Sequence, residues 1–225
     1  MPCDPNLASM AKIGVHDDVY PPAEDSFLLV DALADLWARE LAATRPKLCV
    51  EIGTGSGYVA CSNALLARAH GCEGHTRTRA SDAHARAVET CAETLRAHGV
   101  RETECATALG DLLEPHRDAI EASGGIDVLL FNPPYVVTPS EEVGRGGIAA
   151  AWAGGAHGRE VLDRLLPSVH DALAPGGVFL CVLLEQNKPQ EVMDIMRASG
   201  MRSEIVRSCL ADEESLHVMR CDKPR

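Results

Sequence analysis

Lys47-Leu48-Cys49-Val50-Glu51-Ile52 runs directly into Gly53-Thr54-Gly55-Ser56-Gly57. A short apolar run stopped by alternating glycines reads as a buried strand, a tight turn and the start of a helix, here over 58–69. Such a turn lets backbone approach a ligand closely and offers helix amides to it. Dinucleotide sites want G-x-G-x-x-G, but the third glycine comes one residue early at Gly57, and Tyr58 fills the expected place. The spacing is therefore Glu-x-Gly-x-Gly-x-Gly, which suits a nucleoside ligand without a pyrophosphate.

The same alternation extends both ways along the chain. Upstream, Pro21-Pro22 introduces a helix with Glu24, Asp25 and Ser26 in its first turn. Phe27, Val30, Leu33, Leu36, Trp37 and Leu41 recur at helical spacing until Pro46. Downstream come a strand at 76–81 ending at Asp82, a helix at 83–98 stopped by Gly99, and a strand from Thr103 to Leu109 ending at Asp111. A strand at 126–131 follows, then a helix from Val161 to Leu173, a strand from Val178 to Leu184 and a helix at 190–199. Strand-like segments near 202–209 and 215–221 close the chain. The pattern predicts an α/β fold, a doubly wound and mostly parallel sheet with helices on both faces and an antiparallel hairpin at one side. Residues 1–18 show little periodicity and are expected to form a flexible or loosely packed arm, with one domain over 19–225.

Size and charge bound the function. A chain of 225 residues suits one domain. Thirty-three acids against 21 bases give a formal charge of −12, which disfavours autonomous nucleic-acid binding. Nine cysteines, an odd number without a Cys-x-x-Cys pair, point to a reducing compartment. No apolar run is long enough to span a bilayer. The expected location is the cytoplasm, with the nucleus also admitted.

Two sets of residues carry chemistry. Glu51, Asp82 and Asp111 fall at three successive strand ends. There carboxylates can accept ribose hydroxyls (Asp82) and an adenine amino group (Asp111). Each alone also suits an ordinary turn, but together they favour S-adenosylmethionine over NAD. The strand Ile126-Asp127-Val128-Leu129-Leu130-Phe131 ends in Asn132-Pro133-Pro134-Tyr135. Paired prolines fix φ and remove two backbone donors, leaving carbonyls as acceptors. The Asn132 carboxamide oxygen and the Pro133 carbonyl can accept both N–H groups of a planar amide or aromatic amine, with Tyr135 stacked on its plane. The stretch 136–158, which contains Trp152, is the one long irregular segment and reads as a functional or disordered loop. His70, Cys72 and His75 match no structural zinc spacing, so no metal is expected; Cys181 reads as core.

With Glu51-x-Gly-x-Gly, Asp82, Asp111 and Asn132-Pro-Pro-Tyr in order, the chain resembles the HemK-type class I methyltransferases, specifically their short eukaryotic and archaeal branch. Val19-Tyr20-Pro21-Pro22-Ala23-Glu24-Asp25-Ser26-Phe27-Leu28-Leu29 looks like that branch's opening signature. Ile148-Ala149-Ala150-Ala151-Trp152-Ala153-Gly154-Gly155 with Gly158-Arg159-Glu160 looks like its long loop. The resemblance covers about residues 19–220. It implies a single Rossmann-like domain with a seven-stranded sheet, using S-adenosylmethionine to methylate glutamine N5 in the Gly-Gly-Gln loop of the class I release factor. It places the cofactor on Ser26, Glu51, Gly53, Gly55, Asp82, Asp111, Leu112 and Asn132. Catalytic roles fall on Asn132, Pro133 and Tyr135, and substrate contacts also on Pro134 and Trp152. It also implies a small zinc-binding activator subunit, forming a heterodimer, near the third strand. Two departures stand out: the segment His70 to His75 looks inserted, and Ala83-His84 follows Asp82 where Asn-Pro is common. Adenine N6 in DNA, a histone or other protein lysine, and a non-catalytic cofactor-binding scaffold remain alternatives.

Overall fold

The structure, a computed structural model, describes residues 6–145, 151–211 and 214–225. Ile148, Ala149 and Ala150 of the expected loop signature lie outside the described residues, as do residues 1–5 of the expected arm.

Seven strands form one sheet in the order β3-β2-β1-β4-β5-β7-β6. They are β1 (Leu48–Ile52), β2 (Arg77–Asp82), β3 (Cys105–Leu109), β4 (Ile126–Phe131), β5 (Leu173–Leu184), β6 (Arg202–Ala211) and β7 (Glu214–Asp222). The first five are parallel, and β7 runs antiparallel to both β5 and β6, so the closing hairpin is as expected. Side chains alternate between two cores. Cys49, Val128, Leu130, Leu180 and Val182 face one, while Val50, Leu129, Phe131, Phe179 and Cys181 face the other. Burial on both faces explains why β1, β4 and β5 read as continuous apolar runs.

Helices α1 (Glu24–Leu36), α3 (Tyr58–Ala69) and α4 (Ala85–Ala97) pack on the first core, and α6 (Glu160–Ala172) and α7 (Pro189–Ala198) on the second. The first helix continues through a wider turn at Trp37–Leu41 and the short α2 (Ala42–Thr44), ending at Arg45 with φ +52°. A helix the pattern does not predict, α5 (Arg117–Ser123), precedes β4; its only inward apolar side chains, Ala119 and Ile120, are half-buried.

The described part of the expected arm is docked. Ala8 and Ile13 are buried in the first core, and the Ala8 and Gly14 backbone N–H groups donate to Ser62 Oγ at 3.2 Å and Thr94 Oγ1 at 3.0 Å. Those anchors come from α3 and α4, far along the chain, so local periodicity does not reveal them. The segment His70 to His75 serves packing: His70 stacks on Trp37 at 5.8 Å, Cys72 is buried, and His75 Nε2–H donates to the Arg45 carbonyl at 2.8 Å.

Candidate active site

Strand order reverses between β1 and β4, and in an open α/β sheet the crevice outside that point is where ligands bind. Ile52 pairs with both Ser81 and Phe131, so the residues after β1 and β4 leave the sheet side by side. There the structure holds a cavity of about 510 Å³, lined by every residue the sequence nominates, from Ser26 and Glu51 to Asn132, Tyr135 and Trp152.

One half is built on the glycine turn. Gly53, Gly55 and Gly57 have φ of +68°, +50° and +80°, where a side chain would be strained. Their roles differ. A Cβ at Gly55 would meet only the Tyr20 carbonyl, at 4.0 Å, leaving backbone open to a ligand; at Gly57 it would lie 2.7 Å from Cys91 Cα, so that glycine lets α3 and α4 touch. Glu51 is buried and accepts from Thr54 Oγ1 at 2.9 Å; burial pushes its carboxyl up to about 8. Asp82 accepts from the Gly55 N–H at 3.0 Å and the His84 N–H at 2.9 Å. Burial raises its carboxyl too, against the pull of those amides. The carboxylate keeps acceptor capacity for a ribose hydroxyl.

Asp111 stands differently from the sequence expectation. Its carboxylate is ion-paired with Arg164 of α6, so an adenine amino group would share it with a guanidinium. The next residue, Leu112, has φ +49°, strain that a non-glycine residue keeps only where its surroundings enforce it. Cavity size, an open glycine backbone and the Asp82 acceptors fit a ribonucleoside.

The other half centres on Asn132. Its Nδ2–H donates to Asp25 Oδ2 at 3.0 Å, and the Tyr135 hydroxyl donates to the same oxygen at 2.9 Å. Since a carboxylate only accepts, the Asn132 amide is oriented, and its Oδ1 is left buried without a partner. An orphaned acceptor on a cavity wall calls for a donor from a ligand. Burial first, then the Asp25 charge, raises the Tyr135 phenol far above its ordinary value, so it stays neutral. Tyr20 is hydrogen-bonded to Tyr135 and is likewise raised, mainly by burial.

Sequence reasoning takes Asp25 only as a first-turn acid. Its place on α1 is stabilised by the helix N-terminus, yet its carboxylate reaches Asn132, just after β4, a contact spanning 107 residues. Trp152 lines the cavity at the return of the long loop, where its carbonyl accepts from the Val136 N–H at 3.0 Å and the Gly154 N–H donates to the Val136 carbonyl at 2.8 Å. Cys181 is fully buried in the second core, and burial raises its thiol strongly, as for an inert core residue.

Comparison with known proteins identifies the family of the chain. Residues 26–151 match the family described as Methyltransferase small domain. The chain is 41% identical over 210 residues to Methyltransferase HEMK2 of Homo sapiens, covering 93% of this chain and 92% of that one. It is 32% identical to the eRF1 methyltransferase catalytic subunit mtq2 of Schizosaccharomyces pombe, covering 95% and 93%. Among solved structures it resembles the E. cuniculi Mtq2–Trm112 complex, described as responsible for methylation of the eRF1 translation termination factor. The TM-score is 0.61 at 25% identity, covering 92% of this chain and 99% of that one.

Proposed function

Because the chain belongs to the HemK-type glutamine methyltransferases of the eukaryotic and archaeal branch, we propose that it methylates the N5 amide of the glutamine in a release factor's Gly-Gly-Gln loop. The observation that carries this reading is the buried, unpartnered Oδ1 of Asn132, oriented by Asp25. Ser26, Glu51, Gly53, Gly55, Asp82, Asp111 and Leu112 would hold S-adenosylmethionine, which would supply the methyl group.

The chain's own part is to bind and align. Asn132 Oδ1 accepts one N–H of the substrate amide, the Pro133 carbonyl accepts the other, and Tyr135, Pro134 and Trp152 wall its plane. A carboxamide nitrogen is a poor nucleophile, so orientation supplies much of the acceleration. Once methylated, that nitrogen is strongly acidic and gives its extra proton to water without a tuned base; neutral Tyr135 serves as a donor to Asp25. An ammonium suits the site less well, because Asp25 Oδ2 is already taken by two donors. The −12 charge opposes DNA.

The activator subunit is assigned to the β3 edge. β3 is an outer strand paired on one side only, with its last residue, Leu109, exposed, and an unpaired edge is a ready template for a partner. The related Mtq2 structure is a complex with Trm112. A release-factor substrate implies the cytoplasm. The test is mass spectrometry of release factor, duplex DNA and histone substrates after incubation with the chain and activator. A methylated Gly-Gly-Gln glutamine is expected; unmodified glutamine beside methylated adenine or lysine overturns the assignment.

A further inference from the structure

Pro133 and Pro134 leave no backbone N–H between Asn132 and Tyr135, so this segment cannot fix its peptide planes by donating hydrogen bonds. Its orientation must be set from outside. Asn187, in the turn after β5, is fully buried and reaches it. Its Oδ1 accepts from the Leu184 N–H at 2.7 Å, and its Nδ2 donates toward the carbonyls of Tyr135 at 2.8 Å, His157 at 3.1 Å and Gly158 at 3.2 Å. One side chain thus ties the tip of β5 to the carbonyl following the proline pair and to the end of the loop carrying Trp152.

Two further features hold this junction. Arg159 Nη1 donates to the Asn187 carbonyl at 3.2 Å, and Arg159 also pairs with Asp163 and Glu191. Gly158 has φ +64°, and a Cβ there would lie 2.1 Å from the Tyr135 carbonyl oxygen and 2.5 Å from Asn187 Nδ2. The clamp therefore has no slack on the loop side. Asn187 is absent from the cavity lining, so it acts through its neighbours.

We propose that Asn187 is a positioning residue, which fixes the Tyr135 carbonyl and through it the planes of Pro133, Asn132 and the loop return at Trp152. The inference rests on the reading that Asn132 to Tyr135 hold the acceptor amide. An aspartate at 187 would turn the donor into an acceptor facing three carbonyls, and Gly158→Ala would press on the same carbonyl from the other side.

The test compares Asn187→Asp and Gly158→Ala with Asn63→Ala in the full chain with activator, on a release-factor substrate. Asn63 is equally buried, bonded to Trp37 and Thr78 and outside the cavity lining, so it controls for lost stability. Because misplacement by about 1 Å costs ~100-fold, kcat should fall about 100-fold in both clamp variants. Substrate KM and cofactor Kd should stay within about threefold of wild type. Asn63→Ala should lower Tm with kcat retained below its melting range. A kcat within about threefold of wild type in Asn187→Asp overturns the inference, as does a kcat loss in Asn63→Ala matching the clamp variants at equal loss of Tm. A wild-type enzyme that methylates lysine or adenine instead overturns the functional reading, and the same kcat split on that acceptor then decides the clamp.

Discussion

Replacing Asp25 by asparagine removes a charge and one acceptor while keeping the shape. Asp25 Oδ1 accepts from the Ser26 backbone N–H at 2.6 Å, while Oδ2 accepts from Asn132 Nδ2 at 3.0 Å and Tyr135 at 2.9 Å. Asparagine has a single oxygen. If that oxygen stays on Ser26, the new NH2 meets the NH2 of Asn132, and two donors cannot bond. The relief is a half-turn of the Asn132 amide, which puts its oxygen on residue 25 and its NH2 into the cavity. The acceptor proposed to take a substrate N–H has then become a donor.

Lost charge-assisted hydrogen bonds cost about 1.5–3 kcal/mol each, partly recovered by the new amide pair, so Tm should fall moderately. The effect on transfer should be larger, because removing one aligned polar group from a reaction centre costs roughly 100- to 1,000-fold in kcat. Cofactor affinity should fall less than the transfer rate, since of the proposed cofactor contacts only Ser26 and Asn132 touch Asp25, while Asp82 and the glycine turn do not. The assay is single-turnover methylation at saturating cofactor, beside a thermal melt and a cofactor titration. An Asp25→Asn enzyme transferring within about threefold of the wild-type rate would refute the idea that Asp25 orients Asn132. Equal losses of rate and cofactor affinity would instead indicate a collapsed cavity.

Other outcomes follow from burial. Glu51 has a folded-state value of about 8 against an ordinary 4.5, so the folded chain holds its proton longer than the unfolded chain and stability falls as pH rises between those values. Glu51→Gln, which can still accept from Thr54, should remove roughly 4 kcal/mol of that pH dependence, read from urea melts at pH 5 and 8.5. His116 is buried with both ring nitrogens unpaired, and burial lowers it to about 4, so here stability is lost as pH falls from 6.5 toward 4. His116→Phe should flatten about 2 kcal/mol of that acid-side loss between pH 7 and 4.5; melts at those two pH values that differ as much as in the wild type would count against it. Gly57→Ala should cost more than about 2 kcal/mol because its Cβ strikes Cys91 Cα at 2.7 Å. Gly71→Ala, at φ +69° with nothing within 4 Å, should cost only about 1 kcal/mol, a contrast that equilibrium denaturation checks directly.

What could be read from the chain follows the range of the forces involved. The strand at 126–131 and the turn at 53–57 are written in neighbouring residues, through apolar runs, glycines and prolines, and both are found at those positions. The docking of residues 6–19 and the helix Arg117–Ser123 leave little local signal, because one depends on partners in α3 and α4 and the other is short and half-buried. The site divides the same way. Glu51, Asp82 and Asn132 are legible because a strand tip in a parallel sheet is a place, so position along the chain gives position in space. Asp25, Arg164 and Asn187 are not, since each meets its partner across 107, 53 and 52 residues, and no local pattern marks a carboxylate, guanidinium or amide that acts so far away. The chemistry of the acceptor side nonetheless depends on them: Asn132 can present only one end of its amide to the cavity, and Asp25, on a different helix, determines that it is the oxygen.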